Sequence, residues 1–355
     1  MRDNPCMPEI TGPLRVGVVG TGAFGRNHAR IYRDVAADPA LNVQFTGIVD
    51  ADPSLAKTVA EEFGTRAFTS VAELVAAGVG AVSVAVPTVA HLAVARELLQ
   101  AGADVLVEKP LCATLAEADE LRAIAEREGR IVQVGHLERF NPAVRATLPL
   151  LSKPMFFEVH RLSVFTPRSL DVDVVLDLMI HDIDLVLTMA KSRVREVRAV
   201  GLPILSKKVD IANVRLEFES GCVANFTASR VSTERVRKLR FFQPGQYVSL
   251  DFSRQDVLVL TVDHNNAAAD DDPFNPASVV TNALPGITPF KPKVHPVEPL
   301  RAELIGFLNS VRTRSTPEVP LEQGRAALAV ALEIVEAINK HRQRARLDEL
   351  TAGVS

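Results

Sequence analysis

Residues 14–25 read LRVGVVGTGAFG, and this stretch decides the fold. Its first half is a short valine-rich run, which predicts a buried strand over 14–20. The second half, Gly20-Thr21-Gly22-Ala23-Phe24-Gly25, is G-x-G-x-x-G opening a predicted helix over 24–36. Gly20 permits a tight turn, Gly22 lets the backbone approach a pyrophosphate, and Gly25 lets the helix pack closely on the strand. The helix N-terminus then faces the phosphates. Glycine-rich turns are common, so the motif gains force from Asp50, which ends the next predicted strand, VQFTGIVD (43–50). A carboxylate there can bind the adenosine ribose hydroxyls. Asp50 is followed by Ala51 and Asp52 with no arginine close behind, a setting that repels a 2′-phosphate and favours NAD over NADP.

Outward from this point the pattern repeats. Strands are predicted at 81–87, 103–110 and 130–136, separated by helices at 53–63, 89–101 and 114–128. Near-continuous apolar strands alternating with helices imply a parallel sheet covered on both faces, the doubly wound α/β class. After about residue 145 strands follow one another directly: 155–165, 194–205, 209–219, 222–230, 237–243, 246–252 and 256–262. That implies an α+β domain with a mainly antiparallel open sheet. A long helix is expected at 173–190, a long surface loop at 263–297, and closing helices near 298–313 and 321–343. The predicted organisation is an N-terminal extension (1–13), a dinucleotide-binding domain (14–142), and a substrate-binding and oligomerisation domain (143–355).

The 355 residues are 47% hydrophobic and 23% charged, which excludes a disordered chain. A net charge of −3 offers no cationic field for nucleic acid. Cys6, Cys112 and Cys222 are too few and too scattered for a disulfide framework or a metal knuckle, and they suit a reducing compartment. No metal site is expected. The start, MRDNPCMPEITGP, lacks the apolar core of a signal peptide, and the apolar window 76–94 is interrupted by Ser83, Pro87, Thr88 and His91. A cytoplasmic protein with no membrane partner is the expectation.

Glu108-Lys109-Pro110 ends the fourth strand of the first domain, at the carboxyl edge where such sheets hold their ligands. Asp177, His181 and Asp184 stand at i, i+4 and i+7 of the predicted helix, on one face. Two readings stay open from spacing alone. His181 is a general base oriented by a carboxylate, or Asp177 and His181 form a helix-surface pair while Asp182 and Asp184 face water.

VGVVGTGAFGRNHAR (16–30), PTVAH (87–91), LVEKP (106–110), GHLERFNP (135–142) and VLDLMIHDIDLVL (175–187), in this order and spacing, resemble the Gfo/Idh/MocA oxidoreductases over essentially the whole chain. The resemblance implies NAD(P)-dependent oxidation of a pyranose or cyclitol hydroxyl. It carries Lys109 into the active site and Asp177, His181 and Asp184 into the substrate pocket, and it puts Pro87 and Glu108 beside the cofactor. HLERFNPAV followed by DVDVVLDLMIHDID is most similar to the members that oxidise the 3-hydroxyl of UDP-N-acetylglucosamine ahead of an aminotransferase. On this reading Lys109 hydrogen-bonds the reacting hydroxyl, His181 takes its proton, Asp177 orients the imidazole and Asp184 binds a neighbouring hydroxyl. Arg139 is a further candidate, and Arg161 and Arg168 are candidates for a diphosphate. His28 and His91 receive no chemistry. The family implies a homodimer or homotetramer through the open sheet. A free sugar, an inositol or a UDP-hexuronic acid is the alternative substrate, and a catalytically silent NAD or sugar sensor is the alternative class.

Overall fold

The computed structural model describes residues 12–165, 172–262 and 286–346. They divide into two compact units. The first comprises the described chain up to Leu137 together with Glu298–Leu328, and the second comprises Glu138–Val297 and the chain from Ala329. The return of 298–328 to the first unit is not foreseen by the sequence reading, which assigns everything after 142 to the second domain. Its cause is apolar: Leu300, Leu304, Phe307, Leu308 and Val311 join the core formed by Leu14, Val16, Ile31, Tyr32 and Val35.

The first unit contains β1 (Leu14–Val19), α1 (Ala23–Ala36), β2 (Val43–Val49), α2 (Pro53–Phe63), β3 (Arg66–Phe68), α3 (Val71–Ala76), β4 (Ala81–Val84), α4 (His91–Gln100), β5 (Asp104–Glu108), α5 (Leu115–Glu128) and β6 (Val132–Gly135). All six strands are parallel, in the order β3-β2-β1-β4-β5-β6. This is the doubly wound order with its reversal beside β1. The three-residue β3 and short α3 are absent from the sequence reading, being too short to show a period. Local chemistry sets the helix ends. Asp52 caps α2 by accepting from the amides of Ser54 and Leu55, and Gly64 closes that helix in the left-handed region. Thr114 and Glu117 form a reciprocal capping box on α5.

The second unit contains α6 (Pro142–Thr147), β7 (Phe156–Val164), α7 (Ile180–Ala190), β8 (Val194–Leu202), β9 (Ile211–Phe218), β10 (Val223–Ser232), β11 (Val236–Gln243), β12 (Gln246–Asp251), β13 (Asp256–Val262) and β14 (Ile287–Phe290). Helix α8 (Pro299–Thr313) belongs to the first unit, and α9 (Leu321–Arg344) begins there and continues into the second. The eight-stranded sheet has the order β14-β13-β12-β11-β7-β10-β9-β8, antiparallel except for the β10–β7 pair. One face is apolar and buried, with Phe157, Val159, Leu239, Phe241, Val248 and Leu250, each side chain alternating with a more exposed one.

Two expectations change. Part of the predicted loop 263–297 is β14, which pairs antiparallel with β13. The predicted helix 173–190 is not uniform: Val175–Met179 is a π-turn, closed by the Ile180 amide donating to the Val175 carbonyl. Asp177 lies inside that turn, so its angle to His181 is not the one an α-helical count gives.

Candidate active site

Three glycines shape the turn after β1, each for a different reason. Gly20 has φ +89°, and a Cβ there would stand 2.5 Å from the Ala85 carbonyl oxygen. At Gly25 a Cβ would fall 1.8 Å from the Gly20 carbonyl oxygen, so the first turn of α1 sits directly on the loop. Gly22 faces open space, and α1 has no side-chain cap at this N-terminus. An uncapped helix start behind an unobstructed backbone fits an anionic pyrophosphate. Ala23 and Phe24 begin the helix on its exposed side, and the Phe24 ring lies 5.6 Å from that of His28.

Asp50, just beyond β2, is tied into the same loop. Its Oδ2 accepts from the Thr21 amide at 2.5 Å and the Thr21 hydroxyl at 2.7 Å, and its Oδ1 accepts from the Asp52 amide at 2.9 Å. A carboxylate offers about four acceptor positions. Three are engaged, leaving Oδ1 room for one ribose hydroxyl rather than two. Asp50 therefore also holds the glycine turn against β2. Asp52 is engaged in capping α2.

At the carboxyl end of β5, Glu108 is buried and accepts from His28 Nε2 at 3.0 Å. A Cβ on Gly135 would meet the Glu108 carboxyl atoms at 2.7–2.9 Å, so the carboxylate lies flat against β6. Lys109 follows it, half-buried, and Pro87 is exposed in the turn after β4. His91 joins the two turns: its ring nitrogens contact the carbonyls of Val86 and Pro110, both at 2.9 Å. Burial pushes the His91 imidazole below its ordinary range, against the pull of those carbonyls. A buried ring that ties two loops is a structural part, as is the His28 ring that holds Glu108.

The second unit changes the assignments most. Asp184 is buried and receives a bidentate fork from Arg139, at 2.6 and 2.8 Å, with side-chain exposures of 2% and 8%. Both oxygens face a guanidinium, so Asp184 and Arg139, each expected to meet substrate, are partners of one another in this structure. Arg161 is likewise buried. It forks onto Asp182 at 2.7 Å twice and donates to Glu138 at 3.1 Å. Burial opposes its charge, but Asp182 and Glu138 together outweigh it and push the guanidinium up. Arg161, expected to meet a diphosphate, thus has its guanidinium engaged by these two carboxylates. The physical reason is strand parity: Phe157, Val159 and Arg161 point to the same buried face of β7. Asp182, which the surface-pair alternative put in water, is 1% exposed. Glu138, which also accepts from Asn141, was not singled out from sequence. An arginine on the apolar parity of a strand was the signal for a buried acidic partner. His181 is 9% exposed on α7, and Asp177 is half-buried four residues before it. Arg168 lies outside the described residues. No cluster of metal-ligating side chains occurs among the described residues, and no described helix is long and apolar enough to cross a membrane.

A doubly wound parallel sheet with a glycine cradle after its first strand, joined to an open, mainly antiparallel sheet, defines a class of NAD-dependent oxidoreductases. Residues 14–136 match the oxidoreductase family with the NAD-binding Rossmann fold (GFO_IDH_MocA), and 155–243 match the GFO/IDH/MocA C-terminal domain. The chain belongs to the Gfo/Idh/MocA oxidoreductases, and its cofactor is NAD. It is 35% identical to a UDP-N-acetylglucosamine 3-dehydrogenase of Acidithiobacillus ferrooxidans, over 93% of this chain and 99% of that protein. A solved structure of the UDP-N-acetylglucosamine 3-dehydrogenase from that organism superposes with a TM-score of 0.81 at 34% identity, covering 91% and 97% of the two chains. An inositol 2-dehydrogenase of Acidothermus cellulolyticus is 32% identical over 53% of this chain and 56% of its own length.

Proposed function

We propose that the protein oxidises the 3-hydroxyl of UDP-N-acetylglucosamine with NAD, giving a 3-keto sugar nucleotide. The observation that carries this reading is the extent of similarity. The UDP-N-acetylglucosamine 3-dehydrogenase matches across 93% of the chain, whereas the inositol dehydrogenase matches about half of it. When bound, NAD supplies the hydride acceptor. Gly20, Gly22 and Gly25 with the start of α1 hold its pyrophosphate, and Asp50 holds a ribose hydroxyl. Lys109 donates a hydrogen bond to the reacting hydroxyl oxygen and stabilises the negative charge that grows there as the proton leaves. His181 accepts that proton, and Asp177 orients its ring. Asp184 and Arg139 act one step back, by fixing the helix that presents His181. Oxidation of a secondary alcohol by NAD is unfavourable near neutral pH, so a reaction that consumes the ketone, such as transamination, is needed to draw it forward. The half-exposed face of the eight-stranded sheet, with Phe156, Phe242 and Tyr247, is the surface we assign to self-association.

The test is NADH formation with UDP-N-acetylglucosamine, other UDP-sugars, free sugars and inositols, with and without an aminotransferase and amino donor. Turnover confined to the UDP-sugar, and deepened by the aminotransferase, is expected. Equal turnover of an inositol or of free N-acetylglucosamine overturns the nucleotide assignment. No NADH with any of them favours the silent sensor.

A further inference from the structure

The buried face of the eight-stranded sheet sets two arginines directly opposite each other, because the register of β11 on β7 pairs Arg237 with Arg161. Like charges facing across two strands destabilise a sheet unless anions intervene. Arg161 has its anions in Asp182 and Glu138. Arg237 does not: its Nε is buried without a hydrogen-bond partner, and it forms no ion pair among the described residues. Burial, and then the charge of Arg161, push the Arg237 guanidinium below its ordinary range, with Glu138 and Asp182 only partly opposing them and Arg235 adding to them.

The position is also special along the strand. Leu239 and Phe241, two and four residues on, continue the same inward row and are fully buried, while Arg237 at the strand's start is half-buried. The apolar core ends there. The Arg237 carbonyl accepts from the Phe252 amide, and the Phe252 ring lies under Arg161 at 5.6 Å, so the backbone at this point is fixed. Through Arg161 the position connects to Asp182, the neighbour of His181 on α7. A guanidinium whose buried Nε has no partner, on a fixed backbone and within the field of Asp182 on the helix that carries the proposed base, suits recognition of a polyanion.

We propose that Arg237 binds the diphosphate of the sugar-nucleotide substrate, the role that sequence alone suggested for Arg161. This rests on the sugar-nucleotide reading above, though its direct test does not require turnover. Calorimetry on the NAD-loaded protein, with UDP, inorganic pyrophosphate and glucuronate as separate probes, compares wild type with Arg237→Met and Arg237→Lys. UDP and pyrophosphate should bind wild type with a salt-dependent Kd, and Arg237→Met should weaken both by about ten- to hundredfold. Arg237→Lys should recover part of the loss, because it keeps the charge and loses the fork. Thermal unfolding separates binding from structure: Arg237→Met should unfold no lower than wild type, since it removes a cross-strand repulsion. Unchanged UDP binding in Arg237→Met, or a clearly lower unfolding temperature for it, overturns the proposal. Dependence on Arg237 for glucuronate alone also overturns it, in favour of a sugar carboxylate. Retained NADH formation with UDP-N-acetylglucosamine alongside unchanged binding in the variant refutes only the role of Arg237. Arg237-dependent UDP binding without turnover of any UDP-sugar refutes only the dehydrogenase assignment.

Discussion

Replacing Asp184 by Asn tests whether this carboxylate is a ligand for sugar or a partner for Arg139. The two side chains are 2% and 8% exposed and share two hydrogen bonds of 2.6 and 2.8 Å. Asn keeps the shape, removes the charge and turns one acceptor into a donor facing the guanidinium. Arg139 is left as an uncompensated buried cation, a loss of about 3–5 kcal/mol. For a unit of this size each kcal/mol lowers the unfolding temperature by about 2–4 °C, so a drop of about 6–20 °C is expected. Removing both charges together, with Arg139→Met and Asp184→Leu, should restore most of that stability, because the cost of desolvating the pair disappears with its attraction. The assay is urea or thermal unfolding followed by far-UV circular dichroism without ligands, completed as a double-mutant cycle. Asp184→Asn with wild-type stability and a raised KM for the sugar would refute this reasoning and return Asp184 to the substrate.

Gly25→Ala places a methyl 1.8 Å from the Gly20 carbonyl oxygen, so calorimetry should show NAD binding lost while UDP binding persists. Lys109→Met should lower kcat by about 10² to 10³ with NAD affinity nearly intact; a smaller change in steady-state turnover would move charge stabilisation elsewhere. His181→Ala should flatten the acid limb of the pH–rate profile, and an unchanged limb with retained activity would assign the base to another group. Asp210 accepts amide hydrogen bonds from Ile204, Leu205 and Ser206 at 2.6–2.8 Å and a fourth bond from the Ser206 hydroxyl. Burial raises its carboxyl, but these bonds together hold it below the ordinary 3.8. Its stabilisation is therefore complete above about pH 4 and lost as the pH falls further. Urea midpoints across this range should fall for wild type and fall less for Asp210→Asn.

What the sequence determined by itself is what local pattern and backbone chemistry can determine. Valine-rich runs alternating with capped helices specify a parallel sheet, since only a strand covered on both faces is apolar along its whole length. Gly25 was legible because a side chain there collides with the Gly20 carbonyl only five residues back, and Gly20 because the turn it makes is local, although the backbone its Cβ would meet, at Ala85, is brought there by the sheet. The place of Asp50 and Lys109 at the carboxyl edge was legible because the ends of parallel strands gather on one edge wherever the chain leads. The tertiary structure alone decided the partners of charges. Arg139 and Asp184 are 45 residues apart, and Arg161 and Asp182 are 21 apart. Nothing in their neighbourhoods along the chain separates a buried pair from two ligands for sugar and phosphate. The π-turn before α7 and the register that sets Arg237 against Arg161 are equally invisible to periodicity. Charge acts through space, so its partners are known only once the strands are aligned and the helix is laid on them.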